Sequence, residues 1–353
     1  MFNNKIDMHS HFLPPSYMEY LKKYEEKRPD NFDTPSWSET AHIKQMDTLG
    51  VAFSFISIST PNLSNSSDEI EKGYTRRINE EGAAFVANYP NRVALMAELP
   101  LPNIENAMEE AAYALDGLGA AGFGLKTHYR GNYLGNPALD PLLAFLDKRN
   151  AVVVVHPAKP FQYYEGVNEG LPIPTFEYLV ETTRTFANMV LKNTFERYHN
   201  IRWVFPHAGA FISLLSDRFD SFAISLKLKN PRFHADFFGA MKHVYFDLAG
   251  FPLQKQIQIL KQNVPIDHML YGSDGPYTPE IATVALAGAL EETDQFSHQE
   301  KNMIFTNNTI NLFPRLKEIM HSDSQNDKTN IKHSSLKRKL TTTVYQIILK
   351  KNK

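Results

Sequence analysis

Residues 151–157 read Ala-Val-Val-Val-Val-His-Pro. An unbroken run of β-branched residues suits a strand buried on both faces, as parallel strands are. The run stops at His156 and a proline, so the strand delivers an imidazole at its C-terminal end. The first apolar run of the chain closes in the same way, as Lys5-Ile6-Asp7-Met8-His9-Ser10-His11. In a strand, residues i and i+2 share a face, so His9 and His11 project together. Two imidazoles on one face suit a divalent transition metal. The spacing alone also fits a surface pair near a terminus, and what favours a site is the recurrence of the pattern further along.

Working outward, strand-like runs fall at 5–9, 52–58, 93–98, 122–126, 151–156, 202–207, 244–248 and 269–273. Amphipathic, helix-like segments lie between them at 39–49, 68–88, 104–118, 141–149, 175–193, 210–228, 252–263 and 279–289. This alternation predicts an α/β fold, a (β/α)8 TIM barrel whose site lies at the C-terminal strand ends. The rival, a doubly wound open sheet, places ligands at one switch point rather than at several strand ends. Two loop insertions interrupt the pattern, at 14–37 after strand 1 and at 159–174 after strand 5. Both are placed to carry function at the barrel mouth, or to be long surface connections. The barrel is expected over 1–320. Residues 321–353 are polar and then basic (Lys337-Arg338-Lys339), which reads as a flexible tail with a short helix or strand at 344–349.

Composition narrows the chemistry. The 353 residues are 42% hydrophobic and 22% charged, with a formal net charge of −2, which gives no footing for nucleic-acid or membrane binding. There is no cysteine, so disulfides, thiolate ligands and a cysteine nucleophile are excluded, and any metal is held by nitrogen and oxygen. With no signal-peptide pattern and no long apolar run, a cytoplasmic protein is the expectation.

On the expected barrel, His9 and His11 end strand 1, His156 ends strand 5, His207 ends Trp-Val-Phe-Pro-His-Ala-Gly on strand 6, and Asp274 ends Leu-Tyr-Gly-Ser-Asp-Gly-Pro on strand 8. A lone histidine is more often structural than catalytic. Five such residues at the same end of successive strands point to a metal site. The residues alone do not separate ligands from a neighbouring catalytic group. Ser273 has no histidine at a spacing that would make it a nucleophile.

The set DMHSH, VVHP, FPHAGA and YGSDGP resembles the amidohydrolase-related metal enzymes, in the branch of aminocarboxymuconate semialdehyde and gamma-resorcylate decarboxylases. The stretches TPSWS, SISTP, LPLP, YALDGLGAAGFGL, NYLGNPALDP and TTRTFAN are similar to the 6-methylsalicylate decarboxylase-like subgroup, and the likeness runs from Lys5 to Leu316. The resemblance implies His9, His11, His156 and Asp274 as metal ligands, with His207 and Asp274 as the catalytic pair. It implies one divalent ion, zinc first and manganese second, and a homodimer or homotetramer. Arg218 matches an arginine that pairs with the substrate carboxylate in such enzymes, the alternative being a surface residue paired with Asp217 or Asp220. Where the muconate branch carries an arginine, this chain reads His42-Ile43-Lys44, which argues against a muconate substrate. Lys126 ends strand 4, where the wider superfamily carbamylates a lysine to bridge two metals; an ion pair or a substrate contact is the other reading. Trp37 and Tyr163, with Tyr164, are loop aromatics that either sandwich a planar ring or anchor their loops.

The implied reaction is non-oxidative decarboxylation of a small aromatic or vinylogous carboxylic acid such as a salicylate-type hydroxybenzoate. The alternative is hydrolysis of an amide, ester or lactone at the same metal. A third possibility, a catalytically silent scaffold, sits poorly with an intact ligand set.

Overall fold

The computed structural model describes residues 2–164, 166, 169–253, 255–322, 336–345 and 347. Eight parallel strands form one sheet in sequential order: β1 (Lys5–His11), β2 (Val51–Ser57), β3 (Val93–Ala97), β4 (Gly122–Lys126), β5 (Val152–His156), β6 (Arg202–Phe205), β7 (Tyr245–Asp247) and β8 (Met269–Leu270). The ring closes between the last strand and the first through Met8 N to Tyr271 O (2.9 Å), Asp274 N to His9 O (2.7 Å) and His11 N to Gly275 O (2.7 Å). This is the expected (β/α)8 barrel. All eight strands lie where the sequence places them. Strand 8 is shorter than expected because the chain beyond Leu270 bonds to β1 without regular pairing.

The valine run shows why the barrel holds. Val152 and Val154 join Ile6, Met8, Phe53, Phe55, Ala94 and Met96 in an interior cluster, capped by Leu312, Phe313 and Leu316. Val153 and Val155 belong to the outer cluster, which the surrounding helices cover. Both faces are buried, and this accounts for the lack of polar alternation. In β1 the pairing shifts register between Asp7 and Ser10. That irregularity lets Ile6 and Met8 join the interior cluster while His9 and His11 turn into the mouth above it.

The crossover helices are α2 (Glu39–Leu49), α3 (Asp68–Asn88), α4 (Ile104–Asp116), α5 (Asp140–Lys148), α6 (Glu177–Leu191), α7 (Ser216–Lys229), α8 (Lys255–Asn263) and α9 (Glu280–Glu292). The first insertion also holds a helix, α1 (Pro15–Tyr24), which the sequence reading leaves as loop. Its Pro15 occupies the first turn, and Tyr17, Tyr20 and Leu21 are buried at helical spacing.

The stretch read as a flexible tail contains a helix over 336–345 that is docked on the barrel. Its Arg338 is fully buried and donates to Thr48 O (2.9 Å) and Asn3 Oδ1 (2.6 Å), while Thr342 packs on Gly288 of α9. The segment expected at 344–349 lies largely outside the described residues. Among those described, no helix is long and apolar enough to cross a membrane.

Candidate metal centre

His9, His11 and His156, all buried, and the partly buried Asp274 each offer one ligand atom at the barrel mouth, and these four atoms lie within 4.8 Å of one another. The outer nitrogens of the imidazoles fix their tautomers. His9 Nδ1 meets Asp247 Oδ2 at 3.0 Å, His11 Nδ1 meets Ser57 O at 3.2 Å, and His156 Nδ1 meets Pro157 O at 2.8 Å. Carboxylate and carbonyl oxygens only accept, so each Nδ1 carries the proton and each Nε2 presents a lone pair. His9 Nε2 and His11 Nε2 nonetheless stand 3.1 Å apart, with Asp274 Oδ1 3.3 and 3.2 Å away. A positive charge at this convergence, a proton on His9 Nε2 or a metal ion, relieves the repulsion. The donor set therefore fits a divalent ion.

The electrostatics keep two of the three imidazoles neutral. Burial drives the His11 pKa down to about 4 and holds His156 well below the usual imidazole range, keeping both neutral. Burial also opposes charge on His9, but Asp247 and Asp274 outweigh it and raise its pKa well above the ordinary value. Partial burial opposes charge on Asp274, yet hydrogen bonding to His11, His207 and His9 holds its carboxyl well below the usual carboxylate range. Thr278 donates to Asp274 Oδ2 at 2.9 Å, which leaves Oδ1 to the imidazoles. The backbone is fitted to the site at Gly272, where an added Cβ would lie 2.8 Å from His9 Cβ.

His207 Nε2 lies 3.8 Å from Asp274 Oδ2. The residue has φ +56°, and Ala208 follows at +52°. Two consecutive left-handed residues without glycine are strained, and here they turn the imidazole inward. The turn is held by His207 N donating to Asp247 Oδ1 (3.1 Å) and by Gln256 Nε2 donating to His207 O (2.7 Å). Asp247 thus braces both His9 and His207. The sequence signal for it was present, since Phe246-Asp247-Leu248 ends an apolar run just as the histidines do.

Above the cluster lies a cavity of about 420 Å³ lined by His156, His207 and Asp274 together with Asp30, Phe32, Thr60, Tyr178, Gln256 and Tyr277. Tyr277 stands edge-on to His11 (5.6 Å between centroids) and Tyr178 edge-on to His156 (5.9 Å), forming aromatic walls. Both insertions reach this cavity, through Pro29, Asp30, Phe32 and Thr34 from the first and Pro172 and Pro174 from the second.

The structure does not bring the remaining sequence candidates here. Lys126 is fully buried beneath the mouth, its ammonium 2.7 Å from Glu98 Oε2 and 3.3 Å from both Ile58 O and Gly124 O. It is paired with Glu98 and does not line the cavity. Arg218 is exposed on α7 and lies over the Phe222 ring at 5.1 Å. Trp37 packs against Phe12 and Phe85, anchoring its loop. Tyr163 lines a separate, more polar cavity of about 610 Å³ beside the first. Asp30 and Tyr277 were missed because they sit in segments without periodicity, and Tyr178 because a buried tyrosine in the first turn of an amphipathic helix reads as core.

The amidohydrolase family model matches residues 6–315. The chain belongs to the amidohydrolase family. This amidohydrolase is 30% identical over 321 residues to the 6-methylsalicylic acid decarboxylase of Aspergillus aculeatus, covering 89% of this chain and 97% of that protein. A crystal structure of an amidohydrolase II matches with a TM-score of 0.84 at 35% identity, over 88% of this chain and 99% of that one. A dihydroxybenzoic acid decarboxylase from Polaromonas, solved with bound manganese and an inhibitor, shares the fold (TM-score 0.76, 19% identity, 89% of this chain and 97% of that one). The four-residue cluster supports metal dependence for this amidohydrolase.

Proposed function

We propose that this chain is a metal-dependent decarboxylase that releases CO2 from a small hydroxybenzoic acid of the salicylate type. The observation that carries the reading is the convergence of three Nε2 lone pairs and one carboxylate oxygen at the floor of an aromatic-walled cavity, with His207 beside them. The 6-methylsalicylic acid decarboxylase among the relatives supports the substrate class.

His9, His11, His156 and Asp274 hold one divalent ion, zinc by the donor set or manganese as in the Polaromonas neighbour. When bound, it supplies a Lewis acid beside the oxygens of the substrate. The protein residues supply shape and a proton. Tyr178, Tyr277 and Phe32 confine a planar ring above the cluster. Loss of CO2 directly from an sp² carbon would leave an in-plane carbanion, so protonation of that carbon comes first. His207 delivers the proton, because both oxygens of Asp274 act as acceptors toward the imidazoles and Thr278. The C–C bond then breaks, its electron pair returns to the ring, and CO2 departs with aromaticity restored. The hydrolase alternative in its two-metal form lacks its bridging residue, since Lys126 is committed to Glu98. Self-association as a dimer or tetramer belongs to the same reading, and Phe222, Leu226 and Leu228 stand exposed along α7.

The test is metal stoichiometry together with CO2 release from 2-hydroxybenzoates. We expect one ion per chain and turnover. His156→Ala should strip the metal and lower kcat/KM about a thousandfold, on the order of 4 kcal/mol of transition-state stabilisation. Full activity in a metal-free His156→Ala protein would refute the proposal.

A further inference from the structure

One charged group of the cavity has no part in the chemistry above. Asp30 lies in the first insertion, where Asp30 (φ +57°) and Asn31 (φ +56°) are both left-handed, a conformation that Asp and Asn tolerate better than most residues. The twist after Pro29 buries the carboxylate, leaving the residue 8% exposed, and it lines the cavity while accepting from Tyr178 Oη at 2.6 Å. The Tyr178 hydroxyl in turn contacts Thr60 Oγ1. The Tyr178 ring thus connects Asp30 with the metal cluster, its hydroxyl on Asp30 and its ring edge-on to His156. Among the described residues, no lysine or arginine lines this cavity. Asp30 also borders the adjoining cavity, which Lys159 and Arg130 line, and Lys159 favours the ionised carboxyl from that side.

A carboxylate is an acceptor with room for several donors, and Tyr178 satisfies one of its oxygens. Its complement on a ligand is a hydroxyl or amino group. A second carboxylate at that place would meet a like charge on the cavity side of Asp30, where no lysine or arginine lines the wall. We propose that Asp30 is a specificity-determining residue, selecting substrate rings that carry a hydrogen-bond donor on the side away from the metal and rejecting rings that carry a second carboxylate there. This rests on the decarboxylase reading and narrows it to rings with a further hydroxyl. It also accords with His42-Ile43-Lys44 standing where the muconate branch carries an arginine, which argues against a muconate substrate.

The experiment compares 2-hydroxybenzoates bearing hydroxyl, methyl or carboxylate at C4 or C5, by kcat/KM and by calorimetric Kd, on metal-loaded wild type, Asp30→Asn and Tyr178→Phe. For the wild type we expect the hydroxyl compound to exceed the methyl one at least tenfold and the carboxylate compound to rank last. Asp30→Asn should compress the hydroxyl preference to within about threefold and improve the carboxylate compound at least tenfold, about 1.4 kcal/mol. Tyr178→Phe, which keeps the charge, should preserve the wild-type order. A wild-type order led by methyl or carboxylate overturns the assignment without any variant. So does an unchanged order in Asp30→Asn, or a collapse in Tyr178→Phe equal to that in Asp30→Asn. If the wild type binds none of these compounds, the decarboxylase reading itself fails and Asp30 loses its role with it.

Discussion

Asp247 ties two parts of the site together. One oxygen takes the Nδ1 proton of His9, and the other takes the backbone amides of His207 and Ala249. A single carboxylate therefore fixes both an imidazole of the cluster and the strained turn that carries the catalytic histidine. Asp247→Asn keeps the size but weakens the acceptor toward His9. We expect metal affinity to fall 10- to 100-fold in chelator competition, with the fold retained by circular dichroism. The residue scale also shows where sequence reading succeeds and fails. His9, His11, His156, His207 and Asp274 were legible because strand ends in a barrel converge by construction. Lys126 ends a strand too, but Glu98 directly follows the neighbouring strand β3 and captures it. Charge pairing across adjacent parallel strands competes with function for such positions, and nothing in the spacing reveals which prevails.

At the scale of elements, the regular repeats were readable and the insertions were not. The helices announce themselves through a period of 3.6 residues, and the strands through unbroken apolar, β-branched runs. By contrast, the left-handed turn that brings Asp30 into the cavity is set by contacts with Tyr178 on α6, far away in sequence. The first insertion carries its own pH signature. Burial pushes the Glu25 carboxyl up to about 7, against the opposing hydrogen bond from Asn65. A raised acid favours the folded state when protonated. Its contribution is thus fully present below the unfolded value near 4.5 and is lost as pH rises through about 7. Because the side chain is partly exposed, the effect is screened to about 1 kcal/mol. Glu25→Gln should then lose less stability than wild type between pH 5 and pH 8 in thermal melts, and parallel curves would disprove this.

For the molecule as a whole, the two ends of the chain are tied together. Arg338 reaches from the C-terminal helix to Asn3 and to the last turn of α2, and it lies 3.4 Å from Glu291, which also pairs with Lys5. Arg338→Ala leaves the Thr48 carbonyl and Asn3 without this donor. We expect a loss of about 2 kcal/mol, read as a lower Tm, with kcat unchanged well below the transition because the residue is remote from the cavity. An unaltered Tm would show that the helix contributes no stability. The opposite end of the barrel has a similar seam. His11 and Asp274 are 263 residues apart, yet they face one another across the joint where the last strand meets the first. A cation gripped there would act as a clasp on the ring, so a nascent chain could not be loaded until its final βα unit had left the ribosome.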